Sequence, residues 1–135
     1  MELTACSLKP RRAHFEIDNQ GNGAKSGEPA FVTVSGFVLR DDQRRPCLTV
    51  HWNRAVQEWR VSHAPTGRRI ARLDTKQQAL WVATGLVGLV PWLDVTQDMD
   101  PAKLRAIGDL VSETVRLAKV QYPTPRRERR ASCVR

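Results

Sequence analysis

Residues 59–90 constrain the fold most, because a strand, a tight turn, a second strand and a very apolar helix follow one another without a break. Residues 59–63 (WRVSH) alternate between apolar and polar side chains, the period of two that is typical of a half-buried strand. Pro65 and Gly67 then favour a tight reversal, since proline presets φ and glycine tolerates a positive φ. The pattern predicts a β-hairpin, with residues 68–73 as its return strand, that leads into a helix.

The predicted helix covers residues 75–90, and it begins with Thr75 and Gln78, which fit a capping box. Its apolar residues lie nearly all around the helix axis, so both sides must be covered. Pro91 interrupts the apolar run before it reaches the roughly 20 residues that a bilayer requires, so we expect a buried helix and no membrane span. The sheet would cover one side, and either a second helix or a second copy of the chain would cover the other. This second alternative predicts a homodimer through residues 75–90.

Two further strands are predicted before the hairpin, at residues 30–40 and 47–53, and Gly36 within the first permits a bulge or a close approach by another backbone. A two-residue turn at Arg54-Ala55 would place Val50 opposite Trp59 and Leu48 opposite Val61. This register predicts one apolar face, made of Leu48, Val50, Trp52, Trp59 and Val61. It predicts a polar surface on the other face, made of Thr49, His51, Arg60 and Ser62.

A second helix is predicted at residues 101–121, because Asp100 can cap it and Pro101 suits the first helical position. The fold class is therefore α+β, an antiparallel sheet of about four strands followed by a buried helix and a second, amphipathic helix. Residues 30–122 form this single domain. Residues 1–29 are predicted to be a flexible leader, in which Phe15 and Ile17 mark the only plausible strand, and residues 123–135 a disordered basic tail.

The positive charge is unevenly placed along the chain, which carries a net charge of +8. Residues 30–74 contain eight arginines against four acidic residues, and residues 123–135 contain five against one. Guanidinium groups bind phosphates in bidentate fashion and release counterions from nucleic acids. We therefore predict nucleic-acid contacts from Arg60, Arg68, Arg69, Arg72, His51, Arg126, Arg127, Arg129 and Arg130. An acidic protein surface, or a solvated basic face without any anionic partner, remains an alternative.

Enzymatic, metal and cofactor sites are not predicted. The three cysteines are widely spaced, which gives no disulfide framework and suits a reducing cytoplasm. Cys47 and His51 lie about 13 Å apart along an extended strand, too far to share one metal ion. Cys47 is instead expected to be a small buried apolar group. The histidines show no spacing that would bring them together with acids, so we predict a non-enzymatic protein.

Two resemblances bear on function. The predicted order of elements is four strands followed by a helix, with residues 70–75 leading into that helix. This order is similar to that of the single-strand DNA-binding folds of the Whirly proteins and of a small eukaryotic transcriptional coactivator. The run Trp59-x-Val61-x-His63-x-x-Thr66-Gly67, followed by Thr75-Lys76 and Ala79, resembles hairpin–helix modules in small bacterial plasmid and phage proteins. The second resemblance implies either an accessory DNA binder of a mobile element or an inhibitor or adaptor that binds a host protein, of the anti-restriction or anti-CRISPR type.

Overall fold

The computed structural model describes residues 10–18, 31–96 and 98–125. Its strands pair antiparallel with their neighbours in chain order, as β1 (Arg11–Asp18), β2 (Phe31–Arg40), β3 (Pro46–Asn53), β4 (Glu58–His63) and β5 (Arg69–Leu73). Helix α1 (Lys76–Val87), a short 3₁₀ helix (Trp92–Asp94) and helix α2 (Pro101–Gln121) follow. The predicted α+β class is confirmed, with five strands among the described residues instead of about four.

The additional strand, β1, lies inside the segment that was predicted to be a flexible leader. All eight of its residues pair with β2, and Phe15 and Ile17 face Val34 and Val32 across the ladder. The sequence signal is weak because charged residues surround these two apolar positions, and the stabilisation comes from pairing with a distant strand. The rest of the leader, residues 1–9 and 19–29, and residues 126–135 of the basic tail lie outside the described residues.

The register of β3 and β4 differs from the prediction by two residues. Val50 faces Val61 and Trp52 faces Trp59, with residues 54–57 forming a four-residue loop. The Asn53 side-chain carbonyl starts this loop by accepting hydrogen bonds from the backbone N–H groups of Ala55 and Val56, at 3.0 and 3.2 Å. Because an even shift leaves every side chain on its own face, the predicted apolar face keeps its composition.

The turn before β5 has the predicted geometry. Gly67 adopts a positive φ of 72° and donates its N–H to the carbonyl of His63 at 2.7 Å. A β-bulge follows, since Ala71 faces Val61 whereas Arg69 faces Ser62, which leaves Ile70 as the extra residue. The bulge places Arg69 on the same face of the sheet as Arg72.

The capping box of α1 is confirmed, because Thr75 Oγ1 accepts from the Gln78 N–H at 3.1 Å and Gln78 Oε1 accepts from the Thr75 N–H at 3.3 Å. The helix ends at Val87, three residues before the predicted end, with Gly88 as its C-cap. Helix α2 has the predicted bounds, and the Asp100 carboxylate accepts from the Ala102 N–H. Local capping chemistry therefore sets both helix starts.

The core lies between one face of the sheet and α1. This helix crosses β2 to β5, and α2 packs against both α1 and β5. The fully buried side chains include Leu39, Leu48, Val50, Val61, Leu73, Ala79, Val82, Ala83 and Leu86. Since α2 covers the second side of α1, the apolar surface that suggested a dimer is largely covered within the chain, and the homodimer stays a prediction. No helix within the described ranges is long and apolar enough to cross a membrane.

Gln78 connects the two helices. Its Oε1 accepts from the N–H groups of Asp74 and Thr75, and its Nε2 donates to the carbonyl of Tyr122 at 2.7 Å and to Thr124 Oγ1 at 3.3 Å. Thr124 Oγ1 in turn donates to Asp74 at 2.6 Å. The side chain of Gln78 is fully buried, so one amide both caps α1 and holds the chain that leaves α2.

Candidate nucleic-acid interface

The sheet face opposite α1, here called the open face, was predicted to be a polar surface at its centre. Its four central residues are at most 4% exposed: Thr49, His51, Arg60 and Ser62. The predicted exposed polar surface is therefore wrong at these positions. The Phe15 ring on β1 packs edge-on against His51 with 6.1 Å between ring centroids, which contributes to this burial. A sheet of four strands without β1 would lack this cover.

Gly36 provides the space for this packing. A Cβ atom at this position would lie 2.2 Å from the carbonyl oxygen of Val50 and 3.0 Å from Cζ of Phe15. Both distances are below those of ordinary contacts, so only glycine allows β2, β3 and the Phe15 ring to approach this closely. The predicted close approach at Gly36 is confirmed.

His51 is buried as a neutral imidazole. Its burial, and secondly the positive charge of Arg60 beside it, lower its pKa from 6.5 to about 4. Neither ring nitrogen has a hydrogen-bond partner among the described residues. His51 is therefore not accessible as the phosphate contact that the sequence predicted.

Arg60 forms an internal ion pair. Its Nε donates to the Glu58 carboxylate at 2.7 Å, and the two side chains are 5% and 19% exposed. Breaking a buried pair on one side leaves an uncompensated charge, which is strongly destabilising. The position of Arg60 therefore indicates a structural role, in contrast to the predicted surface contact.

The other predicted sheet arginines, Arg68, Arg69 and Arg72, are exposed. Arg69 and Arg72 lie on β5, an edge strand of the described sheet, and face the open-face residues Ser62 and Arg60. Arg68 lies in the preceding loop. Arg69 and Arg72 therefore place positive charge along one edge of the open face. The four predicted tail contacts, Arg126, Arg127, Arg129 and Arg130, lie outside the described residues.

A groove of about 740 Å³ runs over β1, β2 and β3 to the turn before β5. Phe15, Val38 and Thr49 lie along it, and residues 64–68 close one end, so that Arg68 belongs to its lining. Other residues that line the groove are the basic residues Arg40 and His14, the acidic residue Glu16 and the aromatic residue Phe31, which is 51% exposed. Its volume is within the range of small-molecule sites, and it combines aromatic surfaces with guanidinium groups. The sequence analysis did not identify the groove, because β1 and β2 enclose it only in the tertiary structure.

The side chains of His63 and Cys47 have hydrogen-bond partners within the protein. His63 Nε2 donates to the carbonyl of Trp92 at 2.6 Å, and its Nδ1 lies 2.9 Å from Thr66 Oγ1. Cys47 is buried, as predicted, and burial is the main cause that raises the pKa of its thiol. The described part of the chain contains no group of three histidine, cysteine or acidic residues that could hold a metal ion.

A second aromatic cluster lies on the helix side of the sheet, here called the tryptophan cluster and made of Phe37, Trp52 and Trp59. The rings of Trp52 and Trp59 lie 5.6 Å apart at an angle of 56°, and Trp52 is 42% exposed. The Phe37 ring has Arg12 at 5.4 Å and Lys76 at 4.9 Å from its centroid. The sequence analysis missed this cluster because it assigned both tryptophans to the buried apolar face.

Comparisons of the chain with protein-family models, with curated proteins and with solved structures find no match. The resemblances to Whirly-type folds and to plasmid and phage proteins therefore stay predictions. The function is inferred from the exposed arginines, the groove and the tryptophan cluster.

Proposed function

We propose that this protein binds nucleic acid, without catalysing a reaction, through the edge of its open face. The observation that carries this proposal is the set of exposed guanidinium groups of Arg68, Arg69 and Arg72, of which Arg68 also lines the groove. Phosphates attract such an array through counterion release, and arginine forms bidentate contacts with them. The groove adds the aromatic side chains of Phe15 and Phe31, on which bases can stack.

The charge of the whole chain supports the same proposal. The net charge of +8 adds long-range attraction for a polyanion, and the basic tail adds contacts that do not depend on sequence. The wide spacing of the cysteines favours a cytoplasmic location, and the resemblance of residues 59–79 to plasmid and phage proteins favours an accessory role in a mobile element.

Fluorescence anisotropy with labelled single- and double-stranded oligonucleotides, titrated at several salt concentrations, tests the proposal. The logarithm of the affinity should fall linearly with the logarithm of the salt concentration. In the double variant Arg69→Ala/Arg72→Ala, the slope should shrink by roughly 0.7 to 0.9 for each phosphate contact removed. The single variant Arg105→Ala removes an exposed arginine of α2 and is the matched control, which should leave the slope unchanged.

Two results would contradict the proposal. If neither oligonucleotide binds at about 50 mM salt, where electrostatic binding is strong, the protein is not a nucleic-acid binder. If the double variant and Arg105→Ala change the slope equally, the edge of the open face is not the interface. In the first case an acidic surface on a host protein becomes the better candidate for the partner. A pull-down from nuclease-treated bacterial lysate with the same arginine variants would test this alternative.

A further inference from the structure

The tryptophan cluster packs against the core through Phe37 and Trp59 and carries exposed aromatic surface at Trp52. Trp52 faces Trp59 directly across β3 and β4, and Phe37 faces Val50, the next residue of β3 on the same face. Phe37 and Trp52 are thus diagonal neighbours, about 7 to 8 Å apart in such a ladder. Trp59 and Phe37 are half-buried, whereas Trp52 is 42% exposed and ends the row. Trp52 therefore offers exposed aromatic surface to a planar ligand.

Cations surround this aromatic surface. The side chains of Arg12, from β1, and Lys76, from the start of α1, lie over the Phe37 ring, and both residues are exposed. Lys76 occupies the first position of α1, where the helix dipole disfavours a cation, and the first turn of this helix contains no acidic residue. A bound anion would relieve this repulsion. Among the described residues, the acidic residues of the neighbouring segments are Glu16 and Asp18 on β1, Glu58 on β4, which pairs with Arg60, and Asp74 before α1, whose carboxylate accepts from Thr124.

We propose that the tryptophan cluster is a stacking site for an unpaired base of single-stranded nucleic acid, with Arg12 and Lys76 contacting the adjacent phosphates. The ligand class rests on the proposed function, but the surface is a different one, on the other face of the sheet. Aromatic side chains bind splayed bases through their faces, which are not available inside a duplex. The protein would therefore bind single strands more tightly than double strands, although its open-face arginines contact phosphates of both.

Substitution of Trp52 tests this site in the full-length protein. Trp52→Ala should weaken the binding of a labelled oligothymidine strand roughly 5- to 150-fold, the range expected for one lost stacking contact, and should leave duplex binding unchanged. Trp52→Phe should restore most of the affinity, because it keeps an aromatic face. The matched control is Trp81→Phe, a half-buried tryptophan of α1, which should change neither affinity.

Intrinsic fluorescence provides a second readout that a merely structural role would not produce. Single strands should quench the tryptophan emission of the wild-type protein, and Trp52→Phe should remove most of this quenching while binding persists. Arg12→Ala and Lys76→Ala should each reduce the salt slope for single strands by roughly 0.7, the value per phosphate contact of a single strand.

The outcomes separate this inference from the proposed function. If single and double strands bind equally and Trp52→Ala changes neither, the stacking site is refuted and nucleic-acid binding stands. If no oligonucleotide binds, both proposals fail. If only vesicles of anionic phospholipid change the tryptophan emission, the cluster contacts lipid, and the stacking site is refuted as well. If Trp52→Ala acts but Arg69→Ala/Arg72→Ala does not, the tryptophan cluster is supported and the open-face edge is refuted.

Discussion

Replacing Gln78 should reveal how strongly one buried amide joins the two helices. In Gln78→Ala, the N–H groups of Asp74 and Thr75 lose their acceptor, and the carbonyl of Tyr122 loses a donor at 2.7 Å. Four hydrogen bonds disappear, two of them long at 3.3 Å, and each contributes about 0.5 to 1.5 kcal/mol net. We expect the free energy of unfolding to fall by about 2 to 4 kcal/mol, a large part of a typical stability of roughly 5 to 15 kcal/mol.

Gln78→Glu separates the two functions of the side chain. Glutamate still accepts at the cap, as in the common form of the capping box, but its carboxylate faces the Tyr122 carbonyl and has no proton to donate. Since the site is buried, we expect the pKa of this carboxyl to rise in the folded state. At this carboxyl the folded form then binds more protons than the unfolded form, so the loss of stability of Gln78→Glu relative to the wild type should shrink as the pH falls from 7 towards 5.

Urea denaturation followed by circular dichroism measures both variants, and Thr75→Ala is the control. That change removes only the hydroxyl at 3.1 Å from the Gln78 N–H and should cost about 1 kcal/mol, with no added pH dependence. The reasoning is refuted if Gln78→Ala loses less than Thr75→Ala. It is also refuted if Gln78→Glu matches the wild type at pH 7, because the bond to Tyr122 would then contribute nothing.

Three further changes test the packing. Gly36→Ala should destabilise the fold by about 1 to 3 kcal/mol, because its Cβ would meet the Val50 carbonyl oxygen at 2.2 Å; a thermal shift near zero would contradict this. Gly108→Ala, with open space around the new Cβ in α2, should instead stabilise by up to about 1 kcal/mol in the same assay. The lowered pKa of His51, about 4, means that the unfolded chain binds more protons between pH 6.5 and 4. The free energy of unfolding of the wild type should therefore fall by on the order of 3 kcal/mol on acidification through this range. The His51→Leu variant should lose less stability. Equal losses in the two proteins would show that His51 is hydrated.

The sequence by itself determined the features that depend on neighbouring residues. Thr75 with Gln78, Asp100 with Pro101, and the reversal at Gly67 all satisfy backbone groups within a few positions, so their chemistry is visible in a short window. The alternation along β3 and β4 also fixed which side chains share a face, since that depends only on parity. These local signals were sufficient for the α+β class and for the start of each helix.

Only the tertiary structure decided which surfaces are accessible. The register of β3 and β4 moved by two residues because the Asn53 side chain organises a longer loop, a choice that parity cannot distinguish. His51 and Arg60 are buried because the described sheet includes β1, with Phe15 against His51, and because Arg60 has Glu58 as its partner. Burial depends on contacts between residues far apart in the chain. For the same reason Trp52, assigned to the core by its alternation, is 42% exposed in the structure.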